Sequence, residues 1–291
     1  MKPRFALLAA FLCFASIIAT STKADQLYNN LTPNSSIGLA SQTDMSPGGE
    51  VEAADDFIFT TPTTINSASF TGLISAGTFG VPTIAGVTIE IYRVFPFDSD
   101  TNRTPNVVTR ANSPSDVAFA SRTSSSPGDL TFSTATQASS FTTLNSVQVG
   151  GINPKPNQTT GGNGPVTGQE VQFDVTFTKP FDLPADHYFL VAQVDLTNGG
   201  SFYWLSGSRP ISGAGTTPFA PDLQAWIRDE NLDPDWSRAG TDIVGGTTPP
   251  TFNLAFSLDG KADNVPEPAS SALVLAGMAF VAVFRKRMTK A

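Results

Sequence analysis

Residues 171–178 read Val-Gln-Phe-Asp-Val-Thr-Phe-Thr, apolar at every odd position and polar at every even one. A period of two marks an extended chain with one covered face, because successive side chains of a strand point to opposite sides. The same period returns over 87–95 and 252–259, and these three segments are expected to be antiparallel neighbours in a core sheet. Shorter candidate strands run over 56–59, 65–73, 117–122, 130–133, 141–147, 187–196, 201–205 and 223–228. Between them Gly and Pro recur, 24 and 22 of 291 residues, which breaks long helices and suits tight connections. Short strands in this number, with no helical pattern between them, predict an all-β protein: an antiparallel β-sandwich of jelly-roll type.

The composition permits a core without covalent staples. Hydrophobic residues are 40% and charged residues only 14%, enough apolar surface to fold. Much of the filling falls to the 22 Phe, such as Phe173, Phe177, Phe252 and Phe256 at alternate strand positions. With one Cys, Cys13, and one His, His187, disulfides, thiol-ligated clusters, multi-His or multi-Cys zinc sites and a Cys-His nucleophile pair are all excluded within one chain. Carboxylates, hydroxyls and aromatics are left to carry any chemistry.

Both ends read as addresses. Lys2 and Arg4 precede an apolar stretch from Phe5 to Ala19, and Thr22-Lys23-Ala24 offers small residues where a signal peptidase cuts, so residues 1–24 are expected to be a helical secretory signal. At the other end an apolar run over 269–284 lies between Pro268 and the basic cluster Arg285, Lys286, Arg287 and Lys290. As a helix it would reach roughly 24 Å, short of the roughly 30 Å hydrocarbon core, so it is a transmembrane helix only with help from snorkelling basic side chains. The basic side belongs in the cytoplasm, which places residues 25–264 outside. That body carries 10 bases and 24 acids, a net charge of −14, and is repelled by nucleic acid and by anionic lipid.

The tail Val265-Pro266-Glu267-Pro268, then the apolar run, then Arg285-Lys286-Arg287 resembles a PEP-CTERM sorting signal, the tripartite C-terminus of bacterial proteins handled by exosortases. The resemblance is confined to residues 265–291. It implies that Pro266, Glu267 and Pro268 form the recognition motif, that Arg285, Lys286 and Arg287 are the stop-transfer cluster, and that the partners during export are signal peptidase and exosortase. It further implies anchoring in the inner membrane before processing, and then a place on the cell surface or in an exopolysaccharide matrix.

Within the body, two long connections stand out over 96–116 and 150–169, a length that often marks function or disorder. The first contains Asp98-Ser99-Asp100-Thr101-Asn102, oxygen ligands at alternate positions as at the start of a calcium loop. Arg103 then stands where an EF-hand needs Gly, and Thr109 where it needs Glu. Asp98, Asp100 and Asn102 are the candidate calcium ligands, and no other cofactor is called for. Asp55-Asp56, and Asp229-Glu230-Asn231 with Asp233 and Asp235, are like-charge clusters that are either solvated or calcium-holding. His187 follows the turn Leu183-Pro184-Ala185-Asp186, resembles the turn-then-Tyr start of strands in β-sandwich modules, and is expected at a strand edge beside Tyr188. No Gly-x-Ser-x-Gly elbow accompanies it, which argues against a Ser-His-Asp triad.

Trp204, Trp226 and Trp236 are the three Trp of the chain, and Asp222, Arg228, Asp229, Asn231 and Arg238 surround them in sequence. Exposed Trp beside such groups is how sandwich modules stack sugar rings; in the other reading Trp204 and Trp226 fill the end of the core and Trp236 pins a loop. The leading expectation is a non-catalytic cell-surface or matrix protein. A carbohydrate-binding module using Trp204, Trp226 or Trp236 is the second. A secreted glycoside hydrolase is the third, resting only on the ease with which 24 acids supply a carboxylate pair.

Overall fold

The computed structural model describes residues 24–45, 49–77, 82–95, 112–125, 128–152, 159–197, 199–210 and 222–263. Its strands are, in chain order, β1 (Asp25–Asn29), β2 (Pro33–Ala40), β3 (Gln42–Met45), β4 (Gly49–Phe59), β5 (Thr63–Ser75), β6 (Ile84–Phe95), β7 (Ser113–Pro114) and β8 (Ala120–Thr123). There follow β9 (Leu130–Thr143), β10 (Asn145–Val147), β11 (Val166–Leu183), β12 (Asp186–Leu196), β13 (Ser201–Gly207), β14 (Trp226–Asp229), β15 (Ser237–Arg238) and β16 (Phe256–Ala262). The one helical element among the described residues is a π-turn, Ala239–Val244.

The strands form two sheets, antiparallel except where β10 runs parallel to β2. Sheet I is organised on β5. One edge of β5 is bonded along its length to β11, and the other is shared end to end by β16 and β13. Beyond these lie β9 on β11, β1 on β16, and β2 then β10 on β13. Leu144 alone separates β9 from β10, yet β9 is bonded to β11 and β10 to β2. The chain turns a corner there and links the two flanks of sheet I. Sheet II runs β15-β14-β4-β12-β6-β7, with β3 on β4 and β8 on β6.

The alternation of β11 puts Val171, Phe173, Val175 and Phe177 inside. Phe173 and Phe256 stand opposite Phe70 on either side of β5. Phe70 stacks on Phe173 with centroids 4.7 Å apart, and Phe202 meets both rings edge-on at 5.9 and 5.5 Å. Phe57 of sheet II reaches Phe256 at 6.5 Å, so one core joins the two sheets. Gly72 lies under Phe202: a Cβ there would come within 2.0 Å of Phe202 Cε2. The ring occupies the space that any larger residue needs.

Sheet II is covered on its outer face as well. Segment 222–238 lays Leu223, Trp226 and Trp236 over Ala54, Tyr92, Val94, Phe189 and Val191, forming a second apolar cluster. Strands buried on both faces lose their alternation, and β12 from His187 to Val194 is buried at every position.

Several expectations change. The alternating segments 171–178 and 252–259 flank β5 rather than each other, and 87–95 lies in the opposite sheet. A period of two fixes a face but not a partner. The strand expected at 56–59 begins at Gly49, and the separate segments 130–133 and 141–147 belong to β9 with β10. His187 is not at an edge: β12 lies between β4 and β6, and the imidazole is buried. Tyr188 donates a 2.9 Å hydrogen bond to the Pro184 carbonyl, four residues back, pinning the turn to its strand. No described helix is long and apolar enough to cross a membrane; residues 1–23 and 264–291 lie outside the described residues.

Candidate functional site

Glu52 on β4, Glu90 and Tyr92 on β6, and Arg228 on β14 occupy the outward positions of sheet II, where each strand alternates away from the inter-sheet core. Glu52 and Arg228 are direct ladder partners. The Arg228 guanidinium donates through Nε to Glu52 Oε2 and through Nη2 to Tyr92 OH at 2.9 Å. Its Nη1 reaches the Asp116 and Pro234 carbonyls at 3.1 and 3.2 Å and Asp233 Oδ1 at 3.0 Å. The Trp236 ring lies 4.3 Å from the Arg228 guanidinium carbon, a cation–π contact that closes the inner side of the group.

Tyr92 OH lies 2.9 Å from Glu52 Oε1 and 2.8 Å from Glu90 Oε2. A hydroxyl has one proton, so it satisfies one carboxylate at a time unless a carboxyl holds a proton. Burial pushes the Glu52 carboxyl above its ordinary value, against the pull of Arg228 and Tyr92. Burial alone would lower Arg228, but Glu52 more than reverses this and the guanidinium is held above its usual value.

Above this network opens a cleft of about 600 Å³, walled also by Glu50, Asp116, Val117, Asp229, Glu230 and Pro234. Seven carboxylates face a single guanidinium that is already engaged. The cleft therefore concentrates cations and presents hydrogen-bond acceptors to hydroxyl-bearing ligands. Tyr92 OH brings the Glu52 and Glu90 carboxyls together, but both Glu52 oxygens are already bonded, to Arg228 and to Tyr92.

A second polar cluster is closed to solvent. Asp55 and Asp56, adjacent on β4, point to opposite faces, so they do not converge on one ion. Asp55 Oδ2 accepts from Leu254 N–H at 2.7 Å, and burial, then the Asp56 charge, raises its carboxyl well above the ordinary range. Asp56 lies with Oδ2 2.6 Å from His187 Nε2 and accepts from Leu223 N–H through Oδ1 at 2.9 Å.

The other sequence candidates scatter. The indoles of Trp204, Trp226 and Trp236 are 0%, 2% and 0% exposed, and Trp204 and Trp236 spend their N–H groups on the Ala255 and Ser115 carbonyls. No ring presents a face on which a sugar could stack. Asp229 caps the turn after β14, accepting from Asn231 and Leu232 N–H at 3.1 Å each. Among the described residues no three His, Cys, Asp or Glu side chains are placed to hold a metal ion. Asp98, Asp100 and Asn102, and the tail residues Val265 to Pro268 and Arg285 to Arg287, lie outside the described residues. Sequence reading passed over Glu52, Glu90 and Tyr92. The available signal was Glu90 at a polar position of 87–95, and Glu50 and Glu52 at alternate positions before residue 56. The chain matches no family model, and neither a curated protein nor a solved structure matches it significantly.

Proposed function

We propose that the chain is an exported, non-catalytic protein of the bacterial cell surface or exopolysaccharide matrix, sorted through its C-terminal tail by an exosortase-type system. The observation that carries this reading is the order Pro266-Glu267-Pro268, apolar run, Arg285-Lys286-Arg287 at one end of a chain whose other end reads as a secretory signal. The body suits such a life: an acidic sandwich, taken here to be of jelly-roll type, whose core of stacked Phe needs no disulfide. Replacing Pro266, Glu267 and Pro268 by Ala in the producing bacterium is expected to hold the chain in the membrane fraction while the unaltered chain reaches the surface or medium. An identical distribution of the two would refute the reading.

The acidic cleft favours a second reading in the same setting, in which the body binds matrix polysaccharide through carboxylate acceptors, directly or bridged by calcium, and not through the buried Trp rings. Affinity electrophoresis of the full chain through gels holding the producer's exopolysaccharide, with calcium and with chelator, tests this. Retardation lost in Glu90→Gln with Asp233→Asn supports it, and mobility equal to that in a blank gel under both conditions refutes it.

A further inference from the structure

We infer that β9 is a self-association edge, through which two copies of the body pair antiparallel and continue sheet I from one molecule into the next. Among the described residues β11 is its only ladder partner. From Thr131 to Thr142 its side chains are exposed or half-exposed on both faces, so β9 overhangs the sandwich as a ribbon. Its ladder to β11 is regular from Leu130 to Thr136 and bulged between Thr136 and Phe141, so the regular edge, at about 3.4 Å per residue, is roughly 24 Å long, with outward N–H and C=O groups oriented for another strand.

Edge strands are ordinarily protected by Lys, Pro, bulges, inward-pointing charge or brevity, and the bulges of β9 fall after Thr136, leaving residues 130–136 without any of them. The sequence Leu-Thr-Phe-Ser-Thr-Ala-Thr-Gln-Ala-Ser-Ser-Phe-Thr-Thr of β9 has no charge, no Pro and no Gly. The other outer strands among the described residues are blunted: β7 and β15 have two residues, β10 three, β3 four with Asp44 among them, β8 carries Arg122 and β1 begins with Asp25. The long edge is also the uncharged one.

Charge selects the occupant. In a two-fold antiparallel pair the residue on the axis faces its own copy and those beside it face its near neighbours, so a charge near the axis would meet its like. A strip without charge, on a body of net charge −14, is where a second copy meets least repulsion. A basic partner would be drawn instead to the acidic cleft. Thr and Ser across such a ladder bond to each other, as Thr142 Oγ1 and Thr167 Oγ1 already do at 2.7 Å. About six backbone hydrogen bonds over the regular stretch 130–136, and a total buried surface below about 1,000 Å², put the pair at the lower end of specific interfaces. The dimer is therefore weak, and salt strengthens it by screening the acidic bodies.

This inference goes beyond the sorting reading and does not depend on it, since it concerns the purified chain whatever its address. Sedimentation velocity of the full chain in dilute detergent, over a concentration series at low and high salt, is expected to show a monomer–dimer equilibrium shifted to dimer by salt. Ser133→Lys with Ala135→Lys, both exposed and facing each other's copies across an axis at Thr134, is expected to raise the dissociation constant at least tenfold without lowering the melting temperature. An equimolar mixture with Ser133→Glu, Ala135→Glu is expected to restore the dimer. A monomer at all concentrations in both salts, or a dimer indifferent to the Lys pair, would overturn the inference.

Discussion

Asp55 and Leu254 are joined across the sandwich: the Asp55 carboxylate, on the inward face of β4, accepts the Leu254 N–H at 2.7 Å over a sequence separation of 199. The bond crosses from sheet II to the segment where Leu254 bridges Ser206 of sheet I.

That position makes the fold sensitive to pH. Burial, then the neighbouring Asp56 charge, raises the Asp55 carboxyl well above the ordinary range, and burial raises Glu52 and Asp56 in the same direction. The folded chain keeps protons that the unfolded chain has released. Stability is thus fully present below the ordinary carboxylate range and is lost as pH rises through the raised values. Thermal unfolding of the full chain should show a melting temperature that falls from mildly acidic pH towards neutrality. Asp55→Asn, which cannot ionise, should flatten that slope; an unchanged slope would show that Asp55 is not its source.

Arg228→Met strands the buried Glu52 carboxylate. Removing one partner of a buried pair typically costs about 3–5 kcal/mol, whereas replacing both is far cheaper. In urea unfolding, the single variant should lose stability of that order and Glu52→Gln with Arg228→Met should regain most of it. Equal losses in the single and double variants would contradict the pairing.

Gly72→Ala should be destabilising by about 1–3 kcal/mol, the usual cost of overfilling a packed site, because its Cβ would come within 2.0 Å of Phe202 Cε2 and 2.9 Å of the Tyr203 carbonyl oxygen. The cost should shrink in a Phe202→Leu background, since residues in contact are not additive. Denaturation midpoints for the four proteins of that cycle decide it.

Acrylamide should quench the native Trp fluorescence weakly and the urea-unfolded fluorescence strongly, because all three indoles are buried. Strong quenching before unfolding would place at least one ring outside.

What could be read in the sequence follows from how many faces of a strand are covered. β11 has one covered face and announced itself through Val171, Phe173, Val175 and Phe177. β9 has almost none between Ser133 and Gln137, so only its ends, near Leu130 and Phe141, carried an apolar signal. β4 hid for the opposite reason. Asp55 and Asp56 look like solvated loop residues, yet both are buried, one bonded to Leu254 and the other to His187 and Leu223. The acidic cleft depends on Glu52 beside its ladder partner Arg228 and on Tyr92 reaching both across the intervening strand β12, and such relations are not written in local periodicity. The three Trp were legible as a group and burial was one of two readings open to them; what periodicity could not show is that segment 222–238 lies over sheet II and buries Trp226 and Trp236 there, while Trp204 lies in the inter-sheet core.

The ladder between β1 and β16, with Asp25 opposite Gly260 and Tyr28 opposite Leu258, sets a calendar for the molecule. A chain emerges amino end first, and the earliest of the described strands finds no ladder partner among them until the latest one arrives. Phe256, which rests on Tyr28 with ring centroids 4.4 Å apart, then fills the remaining place beside Phe70 on the central strand. Until those final residues are free, sheet I stands open along β5. Contacts of such long sequence separation form slowly and leave unpaired strands exposed meanwhile. Whatever holds the chain before release therefore also holds back the completion of its fold.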